Sequence, residues 1–299
     1  MTLSVHPVPG GASFAADLAG RRVLVTGASR GIAAAIARGF AGCGARVALN
    51  YSADADLRAG FAEAAAALSD DISHIGPPAL LLEADLTQPD AASRLVTDVV
   101  AAWGGVDIVV LSASIQIHKD FLAQTPADIA LQIQINLMSN IAILQGVIPV
   151  MRRERWGRII TIGSVQETAP SGEMPIYAMT KGAQENLVRN LALQNAPHGI
   201  TVNNIAPGLV QTDRNAFRRR DPSSWEAIAA AANPIGRAGQ PEDIVGAALF
   251  LASDAASFVT GTTIQITGGA HIPWRAAAAR GTSPAQPGSV PLSTPTGTT

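Results

Sequence analysis

The sequence predicts an α/β fold, built as a doubly wound, parallel, seven-stranded sheet with helices on both faces. Seven short apolar runs, rich in Val, Ile and Leu, have the length and composition of buried strands. Helical segments separate these runs, and strands that alternate with helices form right-handed βαβ units with a parallel sheet. Of the 299 residues, 47% are hydrophobic, which is enough for one large core.

The predicted elements have recognisable boundaries. The first strand, Arg22–Thr26, is a β-branched and apolar run that ends in a glycine-bearing loop and leads into an alanine-rich helix, Ile32–Cys43. A later helix, Pro241–Leu251, begins with Pro-Glu-Asp, which is typical of a helix start. The other predicted strands are 46–51, 79–84, 106–111, 158–163, 201–205 and 263–266; the other predicted helices are 55–68, 90–103, 126–152 and one ending near 194, and an irregular insertion covers 208–240.

Composition divides the chain into one domain and two flanking segments. Residues 1–20 contain Pro7, Pro9 and several glycines, and we interpret them as an N-terminal arm. Residues 21–272 form the domain, without a break in composition or an internal repeat. Residues 273–299 are mostly small residues and prolines, which cannot bury enough apolar surface to fold. We therefore predict a disordered C-terminal tail.

Composition and charge also argue against several classes of protein. A net charge of −2 and a pI near 6.2 argue against a nucleic-acid-binding protein. The only cysteine, Cys43, excludes an internal disulfide and a multi-cysteine metal site, and we expect no metal. The N-terminus lacks a secretory pattern, and the longest apolar run, Ile141–Met151, is too short to cross a membrane. These features predict a cytoplasmic protein without membrane contact.

A tyrosine and a lysine are spaced for acid–base chemistry. The chain has only two tyrosines and two lysines, and one of each occurs in the segment Tyr177–Lys181. A spacing of four places both side chains on one face of a helix. The lysine ammonium favours the phenolate and is expected to lower the pKa of Tyr177 from about 10. Such a tyrosine can exchange a proton with a carbonyl or an alcohol, although the pair alone could also be a chance pair on a solvated face.

A glycine loop follows the first strand and opens a helix. Residues 26–33 read Thr-Gly-Ala-Ser-Arg-Gly-Ile-Ala. Glycines let the backbone approach a pyrophosphate, and the helix N-terminus supplies amide donors and a positive dipole. In this context the loop predicts a dinucleotide site.

These motifs together resemble the short-chain dehydrogenase/reductase family over about Arg22–Gly269, including its 3-oxoacyl-carrier-protein reductase-like and glucose-dehydrogenase-like members. The resemblance implies a single-domain Rossmann fold. It also implies that Tyr177 is the general acid in reduction and the base in oxidation, and that Lys181 lowers its pKa and binds the nicotinamide ribose. Ser164, 13 residues before Tyr177, is expected to hydrogen-bond the substrate oxygen, and Asn136 to hold a water that connects Lys181 to solvent.

The same resemblance implies a set of cofactor contacts. Three positions depart from the family: Ala33 replaces the third loop glycine, Leu111–Ser114 replaces Asn-Asn-Ala-Gly, and Thr267 replaces an acid. None is among the expected proton-transfer groups, so activity is expected. The implied cofactor-binding residues are Gly27, Ser29, Arg30, Gly31, Ile32, Asn50, Tyr51, Ser52, Asp85, Leu86, Ser112, Ala113, Ser114, Tyr177, Lys181, Pro207, Gly208, Val210 and Thr212.

Two residues predict that NADP(H) is preferred, with NAD(H) possible. An acid at the end of the second strand would bind the adenosine ribose diol and repel a 2′-phosphate, and Asn50 occupies that place. Arg30 matches a basic residue that family members preferring the phosphorylated cofactor often carry. Arg30 could instead be a solvated charge, and the nearby Asp54 and Asp56 weaken the prediction.

The substrate is expected to contact Gln166, Glu173 and Met174, which make a partly polar wall. The run Arg218–Arg220 is either a solvated face or a receptor for a carrier-bound or anionic substrate. The resemblance further implies a homotetramer or a homodimer.

The sequence thus predicts an NADP(H)-dependent oxidoreductase that acts on a ketone or 3-oxoacyl-like carbonyl, or on the corresponding secondary alcohol. The alternatives are an NAD(P)-dependent sugar or polyol dehydrogenase, a non-catalytic cofactor-binding sensor or scaffold, and an isomerase or dehydratase that retains its cofactor.

Overall fold

A computed structural model describes residues 16–273, which form a seven-stranded, entirely parallel sheet in the order β3-β2-β1-β4-β5-β6-β7. The predicted fold class is confirmed. The predicted disordered tail and most of the predicted arm lie outside the described residues. The strands are β1 (Arg22–Val25), β2 (Arg46–Tyr51), β3 (Leu80–Glu83), β4 (Ile108–Leu111), β5 (Gly157–Ile162), β6 (Ile200–Pro207) and β7 (Thr263–Ile266).

Helices cover both faces of the sheet. On one face, α1 and α9 pack through Phe40 and Leu251; on the other, α4, α6 and α7 pack through residues such as Val99 and Val147. Strands β4, β5 and β6 are therefore buried along their whole length. The α-helices are α1 (Gly31–Gly42), α2 (Ala53–Arg58), α3 (Ala64–Ser73), α4 (Ala91–Trp103), α5 (Pro126–Ile133), α6 (Ser139–Glu154), α7 (Pro175–Asn195), α8 (Pro222–Ala232) and α9 (Glu242–Ala252).

Two predicted helices differ from the structure. The helix predicted at 55–68 is split into α2 and α3, because Gly60 between them has a left-handed φ of 82°. The helix predicted at 126–152 contains a π-helical turn, Gln134–Met138, between α5 and α6. Both interruptions lie near the cleft described below.

The helical run Pro126–Glu154 is longer than the apolar segment that the sequence suggested. By length and composition alone it could cross a membrane. It packs against the sheet, however, with Ile143 and Val147 in the core, and 39% of its most apolar window is buried. A helix that packs in a protein core can be as long and as apolar as a membrane-spanning helix, so this length and composition are weak evidence for a membrane span.

A partly buried carboxyl group holds the turn after β5. Glu167 ends a 3₁₀ turn, and its Oε1 accepts a hydrogen bond from the Ser164 backbone N–H at 3.0 Å. Its Oε2 accepts from Asn204 Nδ2 at 2.9 Å, while Asn204 Oδ1 accepts from the Thr161 hydroxyl at 2.7 Å. Burial is the main reason that the pKa of Glu167 rises to about 7. The ends of β5 and β6 therefore depend on this group.

This network makes a prediction for stability. Since the pKa of Glu167 is about 7 in the folded protein and 4.5 ordinarily, the folded state binds its proton more tightly than the unfolded state. The resulting stabilisation is present below pH 4.5 and is lost as the pH rises through 7. Relative to Glu167→Gln, wild-type protein should lose up to about 3 kcal/mol of unfolding free energy between about pH 5 and pH 8.

Urea unfolding of both proteins at the two pH values measures this difference. Glu226→Gln, at an exposed position of α8, is the matched control. An equal offset between wild type and Glu167→Gln at both pH values would show that Glu167 does not titrate in this range.

Candidate active site

A cleft of about 1070 Å³ runs along the carboxyl ends of the strands. Ligands of open parallel sheets bind at this edge. All the residues that the sequence predicted to bind cofactor line this cleft, and so do Ser164, Gln166, Glu173 and Met174. Asn136 does not line it and is fully buried.

The glycine loop has the geometry of a dinucleotide cradle. Gly27 and Gly31 have φ values of 62° and 59°, and a Cβ on Gly27 would lie 2.9 Å from the Cα of Ala113. Helix α1 begins at Gly31, so its first amides open onto the cleft. The departure at Ala33 is accommodated, because that side chain packs in the core with 3% exposure.

A threonine hydroxyl holds the segment that replaces Asn-Asn-Ala-Gly. Thr26 Oγ1 accepts hydrogen bonds from the backbone N–H groups of Ser112 and Ala113, at 3.0 and 3.1 Å. The end of β1 is thereby tied to the loop after β4 without any asparagine side chain. Our sequence reasoning missed this role of Thr26; the signal for it was a buried hydroxyl at the end of a central strand.

Three of the predicted catalytic side chains meet in the cleft. Lys181 on α7 is 1% exposed, and its Nζ donates to the Ile162 carbonyl at 2.7 Å and lies 5.7 Å from the ring centre of Tyr177. The Ser164 and Tyr177 side chains share a hydrogen bond. The turn held by Glu167 carries Ser164 to this position.

The pKa of Tyr177 is raised rather than lowered. Burial is the largest cause, while the charge of Arg214 and the hydrogen bond with Ser164 act in the opposite direction. Burial and the charge of Arg214 also lower the pKa of Lys181 to about 7. The predicted direction for Tyr177 is therefore wrong, because burial of the phenol outweighs the groups that lower its pKa, and Lys181 is not one of those groups.

Asn136 acts as a structural clamp in the π-helical turn. Its Oδ1 accepts from the Ile115 backbone N–H at 2.9 Å, and its Nδ2 donates to the Ile115 carbonyl and the Thr180 hydroxyl, at 2.9 and 3.0 Å. Thr180 in turn donates to the Tyr177 carbonyl. Asn136 thus joins the loop after β4 to the helix that carries Tyr177, and its role in a proton relay stays a prediction.

Asn50 lines the cleft as expected, and its contact with a cofactor stays a prediction, because its amide is engaged within the protein. It is 1% exposed, its Oδ1 accepts from the Gly27 backbone N–H at 3.3 Å, and its Nδ2 donates to the Ala84 carbonyl at 3.1 Å. Asn50 therefore braces the glycine loop. Tyr51, the last residue of β2, and Ser52, the N-cap of α2, line the cleft as well.

Arg30 is paired at the end of the cleft that the glycine loop and α2 line. Its Nε donates to Asp56 Oδ1 at 3.1 Å, and the Ser29 hydroxyl donates to the same oxygen at 3.0 Å. The Asp56 side chain is only 4% exposed, whereas that of Arg30 is 29% exposed. Arg30 is therefore neither a free solvated charge nor an unopposed cation.

Polar and charged groups line the opposite end of the cleft. Glu173 lies 3.4 Å from the Arg218 guanidinium and 3.7 Å from His118. Arg219 donates to the Thr212 carbonyl, while Arg220 is exposed and does not line the cleft. Two of the three arginines in the basic run therefore bond to other groups of the protein.

Arg214, which our sequence reasoning did not single out, contributes a further charge to this end of the cleft. It follows Thr212 by two residues, and no motif marks it.

Comparison with known proteins agrees with this architecture. A family model described as enoyl-(acyl carrier protein) reductase matches residues 27–271. A 3β-hydroxysteroid dehydrogenase of Eggerthella lenta is 37% identical over 85% of this chain and 94% of its own length. An L-rhamnose 1-dehydrogenase (NAD(P)+) of Azotobacter vinelandii is 34% identical, over 84% of this chain and 97% of that protein.

A solved structure is also similar throughout the domain. It is a 3-oxoacyl (acyl-carrier-protein) reductase of Agrobacterium tumefaciens with NADP bound, and it is 44% identical to this chain. The match covers 85% of this chain and 95% of that one, with a TM-score of 0.79. The chain therefore belongs to the short-chain dehydrogenase/reductase family and is an NAD(P)-dependent oxidoreductase.

Proposed function

We propose that the protein is a cytoplasmic, NADP(H)-dependent reductase of a ketone or 3-oxoacyl-like carbonyl, which also oxidises the corresponding secondary alcohol. The observation that carries this proposal is the meeting of Ser164, Tyr177 and Lys181 in a cleft that the dinucleotide cradle also lines. The bound nicotinamide would supply or accept the hydride.

The side chains around Tyr177 suit a proton donor. A phenol whose pKa is raised by burial stays protonated at neutral pH and can donate to the oxygen of a carbonyl. The Ser164 hydroxyl can donate a second hydrogen bond to the same oxygen and stabilise its developing charge. Lys181 lies beneath the tyrosine with a pKa near 7, and it can return a proton after each turnover.

The proposed preference for NADP(H) rests on Arg30, at the end of the cleft where the adenosine of the cofactor is expected. A guanidinium there can bind a 2′-phosphate through charge-assisted hydrogen bonds. The similar reductase of Agrobacterium tumefaciens was crystallised with NADP. Asp56 opposes this preference, because it competes for the same guanidinium.

The second candidate is a sugar or polyol dehydrogenase. The polar side chains of Gln166 and Glu173 at the substrate end favour it, and so does the similarity to an L-rhamnose dehydrogenase. A carrier-bound 3-oxoacyl substrate would have to enter the cleft past the same polar side chains.

We further propose a homotetramer. Large apolar side chains are exposed on the outer faces of the π turn, α7 and the segment before β7, namely Met138, Met179, Leu193 and Phe258. Large apolar side chains exposed in this way can be buried against a second subunit.

Turnover by the purified protein tests the proposed function directly. Oxidation of NADPH and NADH is measured against ketones, 3-oxoacyl thioesters and keto sugars. We expect turnover of at least one carbonyl class, faster with NADPH than with NADH. Tight binding of cofactor without turnover of any class would contradict the proposal and favour a non-catalytic role, whereas isomerisation or dehydration without cofactor consumption would indicate the isomerase or dehydratase alternative.

Tyr177→Phe tests the proton donor. The variant loses only the hydroxyl, so kcat should fall at least about 100-fold, the scale of general acid catalysis, while NADPH binding followed by fluorescence should stay nearly intact. Tyr51→Phe removes the other tyrosine hydroxyl of the cleft and should change the KM for cofactor rather than kcat. A Tyr177→Phe enzyme that retains more than a few per cent of the wild-type rate would refute the assignment.

Arg30→Gln tests the cofactor preference. Loss of the charged donor should lower kcat/KM with NADPH by roughly tenfold, the scale of one charge-assisted hydrogen bond, and change kcat/KM with NADH by much less. Arg38→Gln, on an exposed part of α1, is the control. Equal losses with both cofactors would mean that Arg30 does not recognise the 2′-phosphate.

A further inference from the structure

Arg214 is fixed at the rim of the substrate end of the cleft. It belongs to the 3₁₀ segment Asp213–Arg219, which follows β6, and it lines the same cleft as Ser164 and Tyr177. Its Nη2 donates to the Ser114 carbonyl at 2.8 Å, and both terminal nitrogens lie 3.3 Å from Ser114 Oγ. Two segments that are 100 residues apart in sequence are thereby joined above the site.

Ser114 supplies this anchor through one of the departures from the family sequence. Where Asn-Asn-Ala-Gly would end in a glycine, this chain has a hydroxyl that accepts from the guanidinium. The side chain of Arg214 is therefore held against the loop after β4.

The charge of Arg214 has no counter-ion in the part of the chain that the structure describes. Arg30 is paired with Asp56 and Arg218 with Glu173, but no carboxylate lies within ion-pair distance of Arg214 among residues 16–273. Its hydrogen bonds to Ser114 leave the Nε–H and one Nη1–H without an acceptor among these residues. The charge also reaches the reacting groups, since it lowers the pKa of both Tyr177 and Lys181.

We infer that Arg214 binds a carboxylate of the substrate, so that the enzyme acts on a small oxo acid or the corresponding hydroxy acid. This inference rests on the proposed function and narrows its substrate class. The free Nε–H and Nη1–H of Arg214 lie on opposite sides of the guanidinium, so one of them can donate a charge-assisted hydrogen bond to a carboxylate oxygen in the cleft. A phosphate dianion would require further cations, and the nearest candidate, Arg218, is already paired with Glu173, which would repel a dianion.

The test compares each acid with its own methyl ester. Acetoacetate and methyl acetoacetate, and levulinate and methyl levulinate, place the carboxylate at two distances from the ketone. Initial rates with NADPH give kcat and KM for wild type, Arg214→Gln and Arg220→Gln. The last variant removes the same charge at Arg220, which directly follows the 3₁₀ segment, is exposed as Arg214 is, and does not line the cleft.

We expect wild type to favour at least one acid over its ester. Arg214→Gln should lower kcat/KM for that acid by roughly 10- to 100-fold, mainly through KM, the size expected for a hydrogen-bonded charge. The same variant should lower kcat/KM for the ester by a clearly smaller factor, because only the effect of the charge on Tyr177 and Lys181 is then lost. Arg220→Gln should leave kcat/KM for both compounds within about threefold.

The outcomes separate this inference from the proposed function. If the esters are reduced as well as the acids and Arg214→Gln affects both alike, the carboxylate site is wrong and the reductase stands. If Arg220→Gln lowers kcat/KM for the acid as much as Arg214→Gln does, the loss reflects the net positive charge of this surface. The assignment of a carboxylate site to Arg214 is then wrong as well. If no compound is reduced, binding of acetoacetate to the enzyme–NADPH complex is titrated by cofactor fluorescence, and binding that does not depend on Arg214 overturns the inference.

Discussion

The burial of Lys181 beneath Tyr177 is the constraint on which the site depends. An ammonium withdrawn from water is costly unless it is hydrogen-bonded or loses its proton. Here the Ile162 carbonyl at the end of β5 accepts one hydrogen bond, and the pKa of Lys181 falls to about 7. The nearby Glu167 carboxyl is partly buried, and its pKa rises to about the same value. Two groups of opposite type therefore titrate near neutrality, and each favours the charged form of the other.

The loop after β4 is held from two sides, and this explains how its unusual sequence is tolerated. Thr26 binds the backbone of Ser112 and Ala113 from the end of β1, and Asn136 binds both backbone groups of Ile115 from the π turn. All four hydrogen bonds involve the main chain of the loop. Side chains in the loop are consequently free to vary, and Ser114 uses that freedom to anchor Arg214.

The parts of the fold that could be predicted are those governed by local sequence. Buried strands are runs of β-branched residues, so the seven strands and the glycine loop were predicted within a few residues. The helix at 55–68 failed at Gly60, because a single left-handed residue ends a helix that its neighbours favour. Asn50 lines the cleft as predicted, but its hydrogen bonds join it to Gly27 and Ala84, 23 and 34 residues away, and no local pattern indicates such contacts.

Properties of the site that depend on residues far apart in the sequence could not be predicted from local sequence patterns. The direction of the Tyr177 pKa shift is set mainly by burial, which depends on the packing of the whole domain and not on a spacing of four residues. The contact of Arg214 with Ser114 spans 100 residues, and no motif connects the two positions. Ser164, Tyr177 and Lys181, by contrast, were predicted to meet because the resemblance to the family implies it, and they do line one cleft.

The ion pair between Arg30 and Asp56 sets a limit on cofactor discrimination. Asp56 is buried, its Oδ1 receives hydrogen bonds from both Ser29 and Arg30, and its Oδ2 has no donor among the described residues. A 2′-phosphate that drew Arg30 away would leave this carboxylate with one donor, and breaking a buried pair is costly. The attraction of Arg30 for the phosphate is therefore offset by its bond to Asp56. On the proposal that Arg30 recognises the 2′-phosphate, the chain should prefer NADP(H) by only a modest factor, because the same guanidinium also stabilises a buried carboxylate.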